Sequence, residues 1–221
     1  MTTYEAVVFD HDGVLVELTE MDLLRRAARA AFEDHGVADP PESLVEHAAR
    51  GELDDLARIE DDRDLDLALA DYWATREHHA IARQTDAVAD GAKPLYDDVT
   101  ALADLPQRKA VVSNNQHDTV RFVVDHHDLG AHFEHVVGRE PTLAGTRRRK
   151  PETHYLDAAL DELGTREALY VGDSPKDVEV AHRAGVDSAF LRRSHRADTV
   201  LDREPTYEVE TLTALAERLA D

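Results

Sequence analysis

The chain has 221 residues, enough to bury a sizeable core, and carries 47 Asp plus Glu against 25 Lys plus Arg, a net charge of −22. It has no cysteine, which excludes disulfides, thiol catalysis and zinc–thiolate sites. The only basic run is Arg147 to Lys150, so no nucleic-acid partner is expected; no apolar stretch is long enough for a membrane span, and the first strand follows Met1-Thr2-Thr3-Tyr4 so closely that no signal peptide is expected, which makes the expected location cytoplasmic.

In chain order, Val7-Val8-Phe9 is β-branched and aromatic and reads as part of a buried strand over Glu5 to Asp10, ended by Gly13. The strand delivers two carboxylates, Asp10 and Asp12, into a glycine turn. So apolar a strand suits a parallel sheet covered on both faces, whose carboxyl edge is where ligands gather. Unpaired carboxylates beside such a core are costly unless a cation or a reaction needs them. The competing reading is a plain turn, with Asp10 capping amides and Asp12 facing water. Strand alternation turns His11 away from the side the two acids share, so a packed or backbone-bonded imidazole is expected.

From Glu17 to Val88 there is no strand signal. Met21, Leu24, Ala27, Ala28, Ala31 and Phe32 recur at helical spacing, Asp39-Pro40-Pro41 breaks the pattern, and further helices are predicted near Glu42 to Arg50, Leu53 to Glu60 and Leu65 to Gln84. Tyr72 and Trp73 read as helix-packing residues, and the His78-His79 and His126-His127 pairs as surface residues, because adjacent helical positions point too far apart to share a metal.

A helix over Leu95 to Leu105 leads to a strand over Lys109 to Ser113, which ends in Ser113, Asn114 and Asn115. That hydroxyl and those amides offer neutral donors to a phosphate oxygen, or make an ordinary turn. A helix from His117 to Leu129, a strand from His135 to Gly138 and the basic run ending in Lys150 follow. Pro151 suits the first turn of a helix beginning near Glu152, assigned over Thr153 to Leu163 and closed by Gly164. The strand Ala168 to Gly172 ends in Asp173, with Asp177 four residues on, so both can face one point; helix capping by Asp173 is the alternative. A helix from Asp177 to Ala184 capped by Gly185, strands over Ser188 to Leu191 and Tyr207 to Val209, and a final helix from Thr211 to Ala220 complete the pattern. Such alternation predicts an α/β fold with a doubly wound, mostly parallel sheet, residues 1–16 and 89–221, and an inserted all-helical domain, 17–88.

Four segments, Asp10 to Gly13, Ser113, Lys150, and Gly172-Asp173 with Asp177, stand in an order and spacing that resemble the haloacid dehalogenase superfamily, specifically its phosphatase branch. The resemblance implies a Rossmann-like core with a small helical cap that closes over the site. It implies Asp10 as nucleophile through an aspartyl-phosphate, and Asp12 as the acid that protonates the leaving alkoxide and then activates water. Ser113 and Asn114 would bond the transferring phosphoryl group, and Lys150 would neutralise its charge. Mg²⁺ would be the cofactor, bound by Asp10, Asp173 and the main-chain carbonyl of Asp12, with Asp177 acting through water. Since a halide leaves without a proton, Asp12 favours phosphoryl transfer over dehalogenation. The expected partner is a small phosphomonoester, phosphoglycolate-like or a sugar phosphate. A phosphomutase of the same superfamily and a non-catalytic phospho-acceptor module are the alternatives. The acid excess, spread over helix faces, resembles that of a haloarchaeal protein, because self-repulsion this large calls for screening by salt.

Overall fold

The computed structural model describes residues 4–60 and 67–220. They form two compact units: an α/β unit of residues 4–18, 93–139 and 148–220, and a helical unit of 19–60, 67–92 and 140–147. The acidic stretch at Asp61-Asp62 and the expected helix start at Leu65 lie outside the described residues.

The α/β unit is built on six strands, β1 Ala6–Phe9, β2 Arg108–Gln116, β3 His135–Arg139, β4 Ala168–Gly172, β5 Asp187–Leu191 and β6 Tyr207–Val209. Their order across the sheet is β3-β2-β1-β4-β5-β6, and every pairing is parallel. The strand that comes first in chain order among the described residues therefore lies inside the sheet, with Phe9 in register with Val111 on one side and Val171 on the other. Strand order reverses between β1 and its neighbours, which opens a crevice at their carboxyl ends.

In the helical unit, α1 Met21–Asp34, α2 Glu42–Arg50, α3 Leu53–Leu56 and α4 Leu69–Ala89 enclose a core of Phe32, Val45, Leu56, Ile59, Tyr72 and Trp73. Phe32 and Tyr72 pack with ring centroids 4.2 Å apart, as helix-packing aromatics do. The segment expected as a helix over Leu95 to Leu105 is a 3₁₀ helix, Asp97–Asp104. Next come α5 His117–His126, α6 Leu143–Arg147, α7 His154–Leu163, α8 Pro175–Ala184 and α9 Leu212–Ala220.

Period-two alternation divides the strands between two cores. Val7, Phe9, Val111, Leu169 and Val171 face α5, α9 and the 3₁₀ helix, while Ala6, Val8, Val112 and Tyr170 face α7 and α8. Two details differ from expectation. Pro151 does not open a helix, since α7 starts at His154 after a turn. The short α6 falls just before and within the basic run, where Thr142 Oγ1 accepts the Gly145 N–H at 2.9 Å.

Candidate active site

The site is assembled at the carboxyl edge of β2, β1 and β4. Asp10 follows β1 directly and hydrogen-bonds through its main-chain N–H to Val171 O at 2.8 Å. Beyond Phe9 the chain leaves the strand and curls, with the N–H groups of Val14, Leu15 and Val16 all directed at His11 O. Gly13 turns at φ 82°, and a Cβ there would stand 2.5 Å from Asp173 Oδ2. Only glycine lets the β1 turn approach the β4 carboxylate so closely. At Gly172 an added Cβ would overlap the Asp177 side chain. Both glycines are thus fixed by the carboxylates they admit.

Asp10, Asp173 and Asp177 are all buried, and one ligand oxygen from each lies within 4.8 Å of the others. Lys150 joins them: its Nζ is 2.8 Å from Asp10 Oδ1 and 2.6 Å from Asp177 Oδ1. It is held from below by Tyr170, whose hydroxyl accepts from Nζ at 2.8 Å and donates to Val112 O at 3.0 Å. Asp177 has a second duty at the start of α8, where its Oδ2 accepts both the N–H and the hydroxyl of Ser174 in a capping box. The helix cap therefore belongs to Ser174 and Asp177, which leaves Asp173 for the site. Asp173 Oδ2 accepts from His195 Nε2 and Arg196 Nε, each at 2.8 Å, on the 3₁₀ turn after β5.

The electrostatics follow from burial. Burial pushes the Asp10 carboxyl up to about 8; Lys150 opposes this, and the Asp177 and Asp173 carboxylates add to it. For Lys150 burial favours the neutral amine, but Asp10 and Asp177 outweigh it and hold the ammonium well above its ordinary range.

The residues fit a magnesium ion. Three buried carboxylates face one ammonium, the donor set is all oxygen, and the Asp173 oxygen engaged by His195 and Arg196 leaves the other to the cluster. Burial, with the Asp177 and Asp173 carboxylates adding to it, disfavours an ionised Asp10 that a cation would stabilise. Both Asp177 oxygens already have partners within the protein, Lys150 on one and Ser174 on the other.

Asp12 stands apart from that cluster. Its Oδ1 meets the buried Lys93 Nζ and, at 3.0 Å, His11 Nδ1, while its Oδ2 accepts from Asn115 Nδ2 at 3.0 Å. Burial favours the protonated acid, yet Lys93 and His11 outweigh it and hold the Asp12 carboxyl well below the usual carboxylate range. His11 is fully buried, as a packed residue should be, but its ring reaches Asp12 instead of turning away. The alternation that predicted otherwise ends with β1 at Phe9. Burial also keeps the imidazole pKa below its ordinary value.

Ser113 is buried at the β2 edge, with its Oγ accepting the Asn115 N–H at 3.1 Å. Asn114 braces the lysine: its Oδ1 accepts the Lys150 N–H at 2.7 Å and its Nδ2 donates to Lys150 O at 3.3 Å. Sequence reasoning took Asn115 for a phosphate donor, whereas its Nδ2 donates to Asp12, and it missed Lys93, Tyr170, His195 and Arg196. One signal was available, because the chain has only four lysines and the two buried ones, Lys93 and Lys150, sit on site carboxylates.

A family model described as haloacid dehalogenase-like hydrolase matches residues 4–185. The chain is 32% identical to a phosphoglycolate phosphatase of Rhodospirillum rubrum, over 96% of this chain and 86% of that one. It is 26% identical to a phosphoglycolate phosphatase of Pseudomonas putida, over 97% and 79% of the two chains. Its fold superposes on the crystal structure of CbbY from Rhodobacter sphaeroides in complex with phosphate, with a TM-score of 0.71 at 21% identity and 96% coverage of each chain.

Proposed function

This chain belongs to the haloacid dehalogenase-like hydrolases and to their phosphatases, and from that premise we propose that it hydrolyses a small phosphomonoester with Mg²⁺ through an aspartyl-phosphate, phosphoglycolate being the first candidate. The observation that carries this reading is the Lys150 bridge between Asp10 and Asp177, beside Asp173, at the carboxyl edge of the sheet.

Asp10 is the nucleophile: a carboxylate oxygen forms a bond to phosphorus as the ester oxygen leaves with its electron pair. Ser113 and Asn114 donate to phosphoryl oxygens, and Lys150 offsets the charge gathered on nucleophile and phosphoryl group. Asp12 gives the departing alkoxide a proton. Its partners hold it as a carboxylate at rest, so it takes that proton up from solvent only once the ester is bound. Water then attacks the aspartyl-phosphate while Asp12 receives the water's proton, and inorganic phosphate leaves with Asp10 regenerated. Asp10, Asp173 and the Asp12 main-chain carbonyl would hold Mg²⁺, with Asp177 acting through water, and the ion supplies Lewis-acid stabilisation and lets two anions meet.

The helical unit is read as the cap that selects the leaving group, and the acid excess as adaptation to molar salt. The test is a phosphomonoester panel in high KCl with MgCl₂, following both inorganic phosphate and isomerised ester. Wild type should release phosphate over many turnovers, and Asp10→Asn should keep its fold and lose at least about a thousandfold in turnover. Isomer without phosphate would make it a mutase; equal turnover in the variant would remove Asp10 as nucleophile.

A further inference from the structure

Lys93, on the segment that follows the helical unit, places a buried ammonium on Asp12 from 81 residues away. Its main chain is fixed as well. His127 Nε2 donates to Lys93 O at 3.2 Å, the Glu17 N–H donates to Pro94 O at 3.1 Å, and the Tyr96 N–H donates to Leu15 O at 3.1 Å. The lysine is thus carried by a strap bound to the turn that holds Asp12. Asn115, at the end of β2, takes the other carboxylate oxygen at 3.0 Å, so the two oxygens are held from separate stretches of chain. Asp12 consequently keeps out of the cluster formed by Asp10, Asp173 and Asp177, although it lies two residues from Asp10. A carboxylate on a turn this close to a divalent-ion site, left to rotate, would be drawn to the same cation.

We propose that Lys93 is a positioning residue that reserves the Asp12 side chain for proton transfer at the ester oxygen by holding it away from the carboxylate cluster. The inference rests on the acid–base role of Asp12 proposed above. Lys93 acts through Asp12, whose Oδ1 it holds.

Leaving-group dependence separates this role from a purely structural one. An alkyl ester such as phosphoglycolate needs a proton on its departing oxygen, whereas 2,4-dinitrophenyl phosphate does not. kcat/KM reports only the steps through ester cleavage, so it isolates the acid role from the later attack of water. Lys93→Met should lower kcat/KM about a hundredfold or more on the alkyl ester, and at least ten times less on the dinitrophenyl ester. Mg²⁺ affinity, measured by calorimetry, should hold or tighten, because a released Asp12 carboxylate adds its charge to the ion, and Lys93→Arg should recover part of the catalytic loss. Equal losses on both esters, or none on either, would overturn the proposal. Asn115→Ala provides a second route if Lys93→Met does not fold, and should show the same leaving-group selectivity more weakly; a uniform loss there counts against the proposal too. Wild-type enzyme that cleaves neither ester would instead reject the phosphatase reading.

Discussion

At Asp10 burial outweighs the ammonium of Lys150 and the neighbouring carboxylates add to it, so the acid titrates at about 8. An acid raised in the fold contributes stability that is whole below its unfolded value, near 4, and is lost as pH climbs through 8. A cation binds the ionised form, so each Mg²⁺ bound well below pH 8 should expel close to one proton. Calorimetry at about pH 6 in buffers of different ionisation heat should register that proton, and at about pH 9 almost none; an affinity flat across this range would contradict the assignment. The four acids could be read from the chain because each lies within a few residues of a strand end that marks it, and Lys150 because it closes the basic run before Pro151. Lys93, Tyr170, His195 and Arg196 could not, because they act across 81, 20, 22 and 23 positions, where local spacing carries no information. His11 was misdirected by extending strand geometry past the last residue of β1.

Among elements, the joint that steadies the β1 turn is an ion pair between Arg193, just after β5, and Asp98 in the 3₁₀ helix. Two guanidinium nitrogens reach the two carboxylate oxygens at 2.8 Å each, one nitrogen also donates to Val14 O at 2.9 Å, and the guanidinium lies 3.9 Å from the Tyr96 ring centroid. Asp98 Oδ2 further accepts the Leu212 N–H at the start of α9. Both side chains are largely buried, so Asp98→Ala should cost about 3–5 kcal/mol by stranding a charged guanidinium, as urea unfolding would measure. Replacing both by an apolar pair should cost much less, and if the single change is harmless the joint has been misjudged. The buried strands β1 and β4 and the buried stretches of β2 and β5 were legible as apolar runs, and Gly164 and Gly185 as caps, because buried strands and left-handed helix ends leave unambiguous residue choices. The 3₁₀ segment and α6 were not. The first has a helical pattern but tighter winding set by its neighbours, and the second is five residues long with a central glycine.

For the molecule as a whole, a net charge of −22 is a source of self-repulsion that salt screens. Self-repulsion falls as the Debye length shrinks from about 10 Å at 0.1 M salt to about 3 Å at 1 M. The melting temperature should therefore rise steadily with KCl over that range, and a melting temperature indifferent to salt would reject the halophilic reading. Charge and class were the most legible properties, since they are sums over residues and need no knowledge of contacts. The division into units was harder, because residues 140–147 join the helical unit from well downstream of its main segment.

Placing β1 between β2 and β4 has a bearing on biosynthesis. The ribosome emits Val7 to Phe9 before the other strands of this sheet, yet one side of that strand waits for residues 168–171, and Asp10 waits for Lys150, Asp173 and Asp177. A nascent chain shorter than this holds an apolar ribbon with one open border, an invitation to mispairing, and an incomplete set of reacting groups. Competence for chemistry thus arrives only late in translation, once β4 and the first turn of α8 have docked.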